Sequence, residues 1–452
     1  MPKPRFLSLS IQLAADCRIA TLLAQVAGSY PQSAYAGLQK SLQQEWAYVQ
    51  RVTEGIDFFF SPLEEEIANG FLPSLFGESL IDDSYRRPLS TLPVKSAGLA
   101  LPDPNQTASS NYKASSLMCG HLVDAMRQDK AVQYSSADHA SLRKEVIAET
   151  RKRKTEENKT KLSTILSKLD ADTARTIQRG EHCGQWLSVT PSIVNGTELS
   201  PQEFRDNLHL RYGRTPGDLP ERCDGCNAPF TVQHSLDCKK GGLIILRHNE
   251  ISGEVMEWAS KALSPGAVRV EPLIHMDSHT APDENAEATP STTDSKRSHT
   301  ANDGKRGDIL IRGLFQRGSD CIIDVRVTDL DCKTNRNTAP EKVLKRHEKE
   351  KKTKYLQACL QQRRSFVPFV VSTDGMLGYE ANNLLKLLSL KLSEKWQLPY
   401  SQVCGLVRSR VSIAIARATH LCVRGSRIPA SKISRKVQWD DGAGVSLFET
   451  DY

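Results

Sequence analysis

Long apolar runs are missing from this chain. None approaches the ~18 residues that a bilayer-spanning helix needs, so no membrane span is expected. The N-terminus, MPKPRFLSLSIQLAADC, has only a short apolar stretch and lacks the clean hydrophobic core of a signal peptide. A disulfide framework is missing too. The cysteine count is 11, an odd number, and outside the stretch 223–238 the thiols are scattered. That usage points to a reducing compartment, cytosol or nucleus, with free thiols. No internal repeat is seen. Apolar residues are 39% and charged residues 25% of the 452 positions. Several ordered domains with polar linkers fit this better than one large core. The net charge of +7 favours a polyanionic partner but is too mild to decide one.

The most informative stretch that is present is CDGCNAPFTVQHSLDC. Cys223, Cys226, His234 and Cys238 have the spacing of a small zinc knuckle. Thiolate and imidazole suit Zn²⁺, which takes four such ligands tetrahedrally. All four positions are filled by protein, so the expected zinc is structural, with no site left for a catalytic water. Arg222, Lys239 and Lys240 beside it are candidate nucleic-acid contacts.

Periodicity divides the rest. Residues 5–53 read as helical, broken at Pro31, and a short helix is expected over 62–69. Residues 90–105 read as loop. Residues 137–169 predict a long charged helix with sparse apolar positions, projecting into solvent or crossing another surface. Its Arg151-Lys152-Arg153-Lys154 run reads as a solvated face, with nuclear import or nucleic-acid contact as the alternative. A helix over 247–263 and a strand over 268–276 follow. Residues 277–306 lose nearly all apolar content and predict a disordered insertion. Strands over 308–313 and 321–328, a helix over 340–363, a strand over 366–373 and helices over 379–396 and 401–419 complete the pattern. The tail, 429–452, is assigned nothing.

Asp308 and Asp324 are symmetric about position 316, where the intervening ILIRGLFQRGSDCII has its one obvious turn. An antiparallel hairpin centred there sets the two aspartates opposite each other, about 4.5–5.5 Å apart. Facing carboxylates repel unless one is protonated or a cation lies between them. A hard divalent ion such as Mg²⁺ is the natural solution. Either aspartate alone would read as a solvated strand end. The helix EKVLKRHEKEKKTKYLQACL that follows offers many lysines, most of them expected on a solvated or DNA-facing surface.

Together these stretches resemble the C-terminal part of the polyprotein of non-LTR retrotransposons that carry a restriction-like endonuclease. CDGCNAPFTVQHSLDCKKGG, RHNEI, KRGDILIRG, IIDVRVTD, KKTKY and FVVSTDG look like consecutive landmarks of that family, over residues 180–428. The resemblance implies a Cys-Cys-His-Cys knuckle followed by a PD-(D/E)xK-type core with a mixed central sheet flanked by helices. Its metal-binding acids fall on Asp308 and Asp324. In restriction-type nucleases a lysine commonly follows two residues after the second acid. Arg326 stands there and can clamp phosphate, but its pKa is too high for a base. The family's lysine falls instead in a KxxKY pattern, with Lys351 the first choice and Lys354 the second. Glu271 is a further candidate ligand and Glu250 a weaker one. Gly307 stands where the family more often has proline. The gap between His234 and Cys238 is shorter than usual, so His248 is an alternative fourth knuckle ligand.

The N-terminal 180 residues resemble, more weakly, the thumb and linker that follow a polymerase palm, in SYPQSAYAGLQKSLQQEW and LPVKSAGLALPDP. The expected organisation is an all-α thumb-like region over 1–135, a charged helix and linker over 136–200, the knuckle over 201–245 and the nuclease core over 246–428. The palm is missing. The string Ile81-Asp82-Asp83-Ser84 lies in a loop-like context and is not read as a polymerase site. The resemblance therefore implies a Mg²⁺- or Mn²⁺-dependent, zinc-stabilised DNA-nicking enzyme of the nucleus, or of nucleus and cytoplasm. Its expected partners are DNA, possible element RNA and a full-length reverse transcriptase acting in trans. A decayed fragment that grips nucleic acid without cutting it is the main alternative, and a scaffold built on the N-terminal helices a third.

Overall fold

The structure is a computed structural model that describes residues 4–78, 84–130, 135–275 and 305–428. The Ile81-Asp82-Asp83 string, nearly all of the expected insertion and the tail from 429 lie outside the described residues. The described chain is mostly helical, with a small mixed four-stranded sheet. None of its helices is long and apolar enough to cross a membrane.

The first half builds one all-helical core. Helix α1 (Pro4–Ser29) ends before Pro31, which opens the next helix at its first turn, where the missing N–H costs nothing. Helix α2 (Pro104–Arg127) begins at the cap Asp103, a helix the sequence reading left unassigned. Next come α3 (Ser136–Leu166), α4 (Ala171–Arg179) and α5 (Pro201–Arg211). Ser200 and Glu203 close a capping box on α5, satisfying two backbone N–H groups reciprocally. Phe60, Phe71, Phe76, Phe204 and Tyr212 are among the fully buried side chains here. Residues 136–200, expected as charged helix and linker, are tied into this core, because Leu162, Ile165, Ile177, Trp186, Leu187 and Leu199 belong to the same apolar cluster.

The second half is built on the sheet. Helix α6 (Leu243–Ala262) precedes β1 (Val268–Val270) and β2 (Leu273–His275). The single strand expected over 268–276 is thus two, broken at Glu271, whose φ of 47° turns the chain out of the sheet. Strand β3 (Lys305–Arg306), expected to belong to the insertion, pairs with β2. Then come β4 (Ile309–Arg312), β5 (Asp320–Thr328), α7 (Pro340–Gln361), β6 (Ser365–Ser372), α8 (Tyr379–Trp396) and α9 (Tyr400–Arg424). The main sheet runs β1-β4-β5-β6, with β5 antiparallel to β4 and parallel to β6. Helix α7 makes the crossover that a parallel pair requires.

Strand alternation assigns the two faces of the sheet. Ile309, Ile311, Ile323 and Val325 pack with α6, α8 and α9, whereas Leu310 and Ile322 pack with Tyr355 and Cys359 of α7. Helix α9 is apolar nearly all round, as a helix buried on several sides must be. Val411, Ile415 and Ala418 join the sheet core while Ile413 and Ala416 join the N-terminal core. The buried Arg179 of α4 adds a polar tie, with ion pairs to Asp331 and, at 2.7 Å, to Asp374.

Candidate functional site: a carboxylate pair and a Cys3His cluster

The β4–β5 register pairs Ile309 with Ile323 and Leu310 with Ile322. The ladder ends there and slips by one residue at Asp308, which lies beside Asp324 at the end of the hairpin and adds to its electrostatics. The Asp308 N–H donates to the Ile323 carbonyl at 3.1 Å, and the Asp308 carboxylate accepts from the Val325 N–H at 2.5 Å. Gly307 precedes it for two local reasons. Its N–H donates to the Pro272 carbonyl at 3.0 Å, which a proline could not do. A Cβ there would meet Ile322 at 2.4 Å.

Asp324 is a buried residue on the α7 side of β5, its side chain 5% exposed. Lys351 of α7 meets it, Nζ to Oδ2, at 2.5 Å. The buried face of α7 runs Leu344, His347, Glu348, Tyr355, Cys359, and Lys351 falls on that stripe at helical spacing. Lys354 falls off it and is exposed, its ammonium lying over the Tyr355 ring. Burial pushes the Asp324 carboxyl above its usual value; Lys351 opposes that shift and Asp308 adds to it. Leaving such a carboxylate ionised and unpaired would cost several kcal/mol, and the Lys351 ammonium is the charge that meets it.

From the other face of the sheet, His248 of α6 brings Nε2 to 3.3 Å from Asp308 Oδ1. His248 is therefore a neighbour of the carboxylate pair and not a knuckle ligand. The signal for this was its place three residues before Ile251, on the stripe by which α6 packs. Arg326 does not point to a free clamp position, since its guanidinium holds Glu350 of α7 at 2.6 Å. His347, which sequence reasoning passed over, is buried beside it and meets Thr328 Oγ1 at 2.9 Å. Glu271 is exposed at the β1–β2 bend. Its backbone N–H donates to the Asp308 carbonyl at 2.9 Å, but its carboxylate joins no cluster with the two aspartates. Glu250 is exposed on α6.

The second constellation lies between α5 and α6. Among the described residues, Cys223, Cys226, His234 and Cys238 are the only set of three or more ligand groups gathered closely enough for a metal ion, with their ligand atoms within 4.8 Å of one another. A tight turn brings the first two together, with the Asn227 N–H donating to the Cys223 carbonyl at 2.8 Å. The helix Val232–Asp237, capped by Thr231, brings the others. The short gap between His234 and Cys238 is one helical turn, so both side chains share a face. The Sγ atoms of Cys223 and Cys226 lie 3.8 and 3.9 Å from that of Cys238, and Cys226 Sγ is 3.3 Å from His234 Nε2. A tetrahedron with Zn–S of about 2.3 Å has S···S edges of about 3.8 Å, so this donor set fits an ion such as zinc. Burial pushes the Cys223 thiol up, but hydrogen bonds with His234 and with the backbone at Cys226 and Gly225 outweigh it and bring it to about 6.

The chain beyond α9 clasps this cluster. Arg427 is 2% exposed, hydrogen-bonds the Ser235 and Cys422 carbonyls and lies over the Phe230 ring. Gln233 in turn bonds Asp329, five residues beyond Asp324 on the chain, so the cluster is tied to the end of the strand that carries the carboxylate site. No protein-family model matches the chain, and no curated protein matches it.

Proposed function

We propose that the chain is a metal-dependent DNA endonuclease of the restriction-like, retrotransposon-derived kind, nicking its target by two-acid-plus-lysine hydrolysis. The observation that carries this reading is the buried Asp324–Lys351 pair set against Asp308 at the end of a hairpin. A carboxylate brought out of water beside a second carboxylate and a lysine is what phosphodiester hydrolysis needs, and it weakens a fold that has no use for it. Asp308 and Asp324 would hold Mg²⁺ or Mn²⁺, and two protein carboxylates suffice because Mg²⁺ keeps several waters and takes substrate phosphate oxygens. The ion would supply Lewis-acid stabilisation and a more acidic water. Lys351 carries the positive charge to the scissile phosphate or orients the attacking water. His248 and Val325 N–H hold the Asp308 carboxylate in place, and Arg326, released from Glu350, is within the same face to meet a phosphate. Lys354, exposed, is assigned to the DNA-facing surface. The Cys3His cluster holds structural zinc. DNA is the substrate, with element RNA and a full-length reverse transcriptase as further partners in the nucleus.

A second reading, a decayed nucleic-acid-binding remnant, is favoured by the engagement of Arg326 with Glu350 and by the lack, among the described residues, of a third carboxylate at the pair. Nicking of supercoiled plasmid by the purified chain with Mg²⁺ or Mn²⁺, beside Asp324→Ala, separates them. Metal-dependent nicking lost in the variant supports the enzyme. Salt-sensitive DNA binding without nicking by either protein moves the assignment to the remnant.

A further inference from the structure

Helices α2 and α3 pack as a hairpin that stands off the N-terminal core. Pro104 and Ala108 are the buried residues of α2, and Leu162 and Ile165 those of α3. Beyond them the hairpin leaves apolar side chains in water: Leu117 is 57% exposed, Met126 80% and Ile147 42%. Between the two helices, over the loop 93–96, lies a groove of about 610 Å³. Its floor includes Met118, Val146 and Ile147, and its rim Lys95, Arg151, Lys154 and Lys159, with Glu181 the only acid in the lining.

Of the rim cations, Lys159 pairs with Glu156 at 3.1 Å, but Lys154 is held by a neutral oxygen. Arg151, Lys154, Asn158 and Lys161 recur at helical spacing on one stripe of α3; the first three line the groove and Lys161 lies beyond it. Lys154 is bonded to Asn111 Oδ1 at 3.4 Å and Lys161 to Thr91 Oγ1 at 2.6 Å, both neutral oxygens. Burial holds both ammonium groups below their ordinary pKa. A half-buried ammonium such as that of Lys154, bonded to a neutral oxygen, is a cost to the fold that a bound polyanion reduces.

We infer that this groove binds a single strand of nucleic acid, with phosphates on the Lys95–Arg151–Lys154 rim and bases on the apolar floor. A duplex presents phosphates on its outside and would leave the floor wet. A single strand can turn its bases onto the apolar surface, which here is aliphatic where other strand-binding proteins present aromatic rings. This binding is independent of the nuclease reading and does not involve the carboxylate pair.

The test is fluorescence anisotropy of a labelled 20-nucleotide single strand and of the matching duplex, with the full chain and no added divalent ion. Lys95→Glu/Arg151→Glu changes two exposed charges, so the fold is kept. Lys333→Glu/Lys386→Glu, exposed charges elsewhere, makes the same change in net charge. The groove variant is expected to weaken single-strand binding at least tenfold and to lower the slope of log K against log salt by about 1.4, the contribution of two cations on a single strand. The control variant should bind as the parent does. Equal weakening by the control, or no loss in the groove variant, overturns the inference. So does a duplex that binds as tightly as the single strand and responds alike to the groove variant.

Discussion

Replacing Lys351 with methionine isolates the physics of the carboxylate pair. The substitution keeps an apolar stem on the buried stripe of α7 and removes only the ammonium that meets Asp324 at 2.5 Å. Breaking a fully buried ion pair costs about 3–5 kcal/mol, and an exposed pair is worth about 0–1 kcal/mol. Asp324 is 5% exposed and Lys351 21% exposed on their side chains. The expected loss therefore lies between those limits, at about 2–3 kcal/mol in urea unfolding at pH 7.5. The sign with pH follows from Asp324. Its folded-state pKa is raised, by burial first, with Lys351 the leading opposing influence. Ionising it thus costs stability as pH rises through that raised value. Removing Lys351 raises the value further, so the penalty of K351M is full at neutral pH and shrinks as the pH falls toward the range where Asp324 is protonated. The decisive assay is a double-mutant cycle with Asp324→Asn. In that background no charge is left to compensate, and K351M should cost under about 1 kcal/mol. An equal loss in both backgrounds, or a loss that does not change between pH 7.5 and pH 5, would refute the pair as the reason Lys351 matters.

Other outcomes follow from the same geometry. Cys226→Ser should lower bound zinc from about one equivalent toward zero by atomic absorption, and retention of a full equivalent would place the metal elsewhere. Gly241→Ala forces a side chain onto a φ of 73° with its Cβ 2.3 Å from Arg427 Cα; thermal unfolding should report a loss of about 1–3 kcal/mol. Gly307→Pro should lose a comparable amount, because it forfeits the bond to Pro272 and meets Ile322; an unchanged midpoint would show that the local turn accommodates proline. Burial holds His347 down at about 4, so the folded chain keeps it neutral where the unfolded chain is protonated, and its contribution is lost as pH falls from about 6.5 toward 4. His347→Gln should flatten the stability profile across that window by up to about 3 kcal/mol.

Much of the carboxylate site was legible in the chain because it depends on local arithmetic. The symmetry of Asp308 and Asp324 about one turn gives the register of the hairpin between them, since a hairpin pairs residues whose numbers share a constant sum. That register holds from the pair Arg312 and Asp320 to the pair Ile309 and Ile323 before it slips at Asp308. The preference for Lys351 over Lys354 came from the resemblance, in its KxxKY pattern; it is the folded helix α7 that puts Lys351 on its buried stripe and leaves Lys354 exposed. The four positions 223, 226, 234 and 238 are close in sequence, and a turn plus one helical turn is enough to gather them. Helix α2 was missed because its Ser- and Asn-rich sequence has weak periodicity; its place is set by packing on the helix Gln43–Val52, where Gln50 bonds Pro104, Thr107 and Asn111, and by its contact with α3.

What the tertiary structure alone decided involves partners far apart in the chain. His248 sits beside Asp308 and not in the Cys3His cluster, because the packing of α6 under the sheet sets which way that helix face points. Arg326 is taken by Glu350, because α7 lies over that face of β5. The break at Glu271 arises where β1 leaves β4 and β2 turns to meet β3. Residues 136–200 carry few apolar positions, yet those few reach the N-terminal core, and α9 serves two cores at once. Periodicity and spacing report which face of an element is apolar. They do not report which distant element covers it, since that is set by the summed packing of the whole chain.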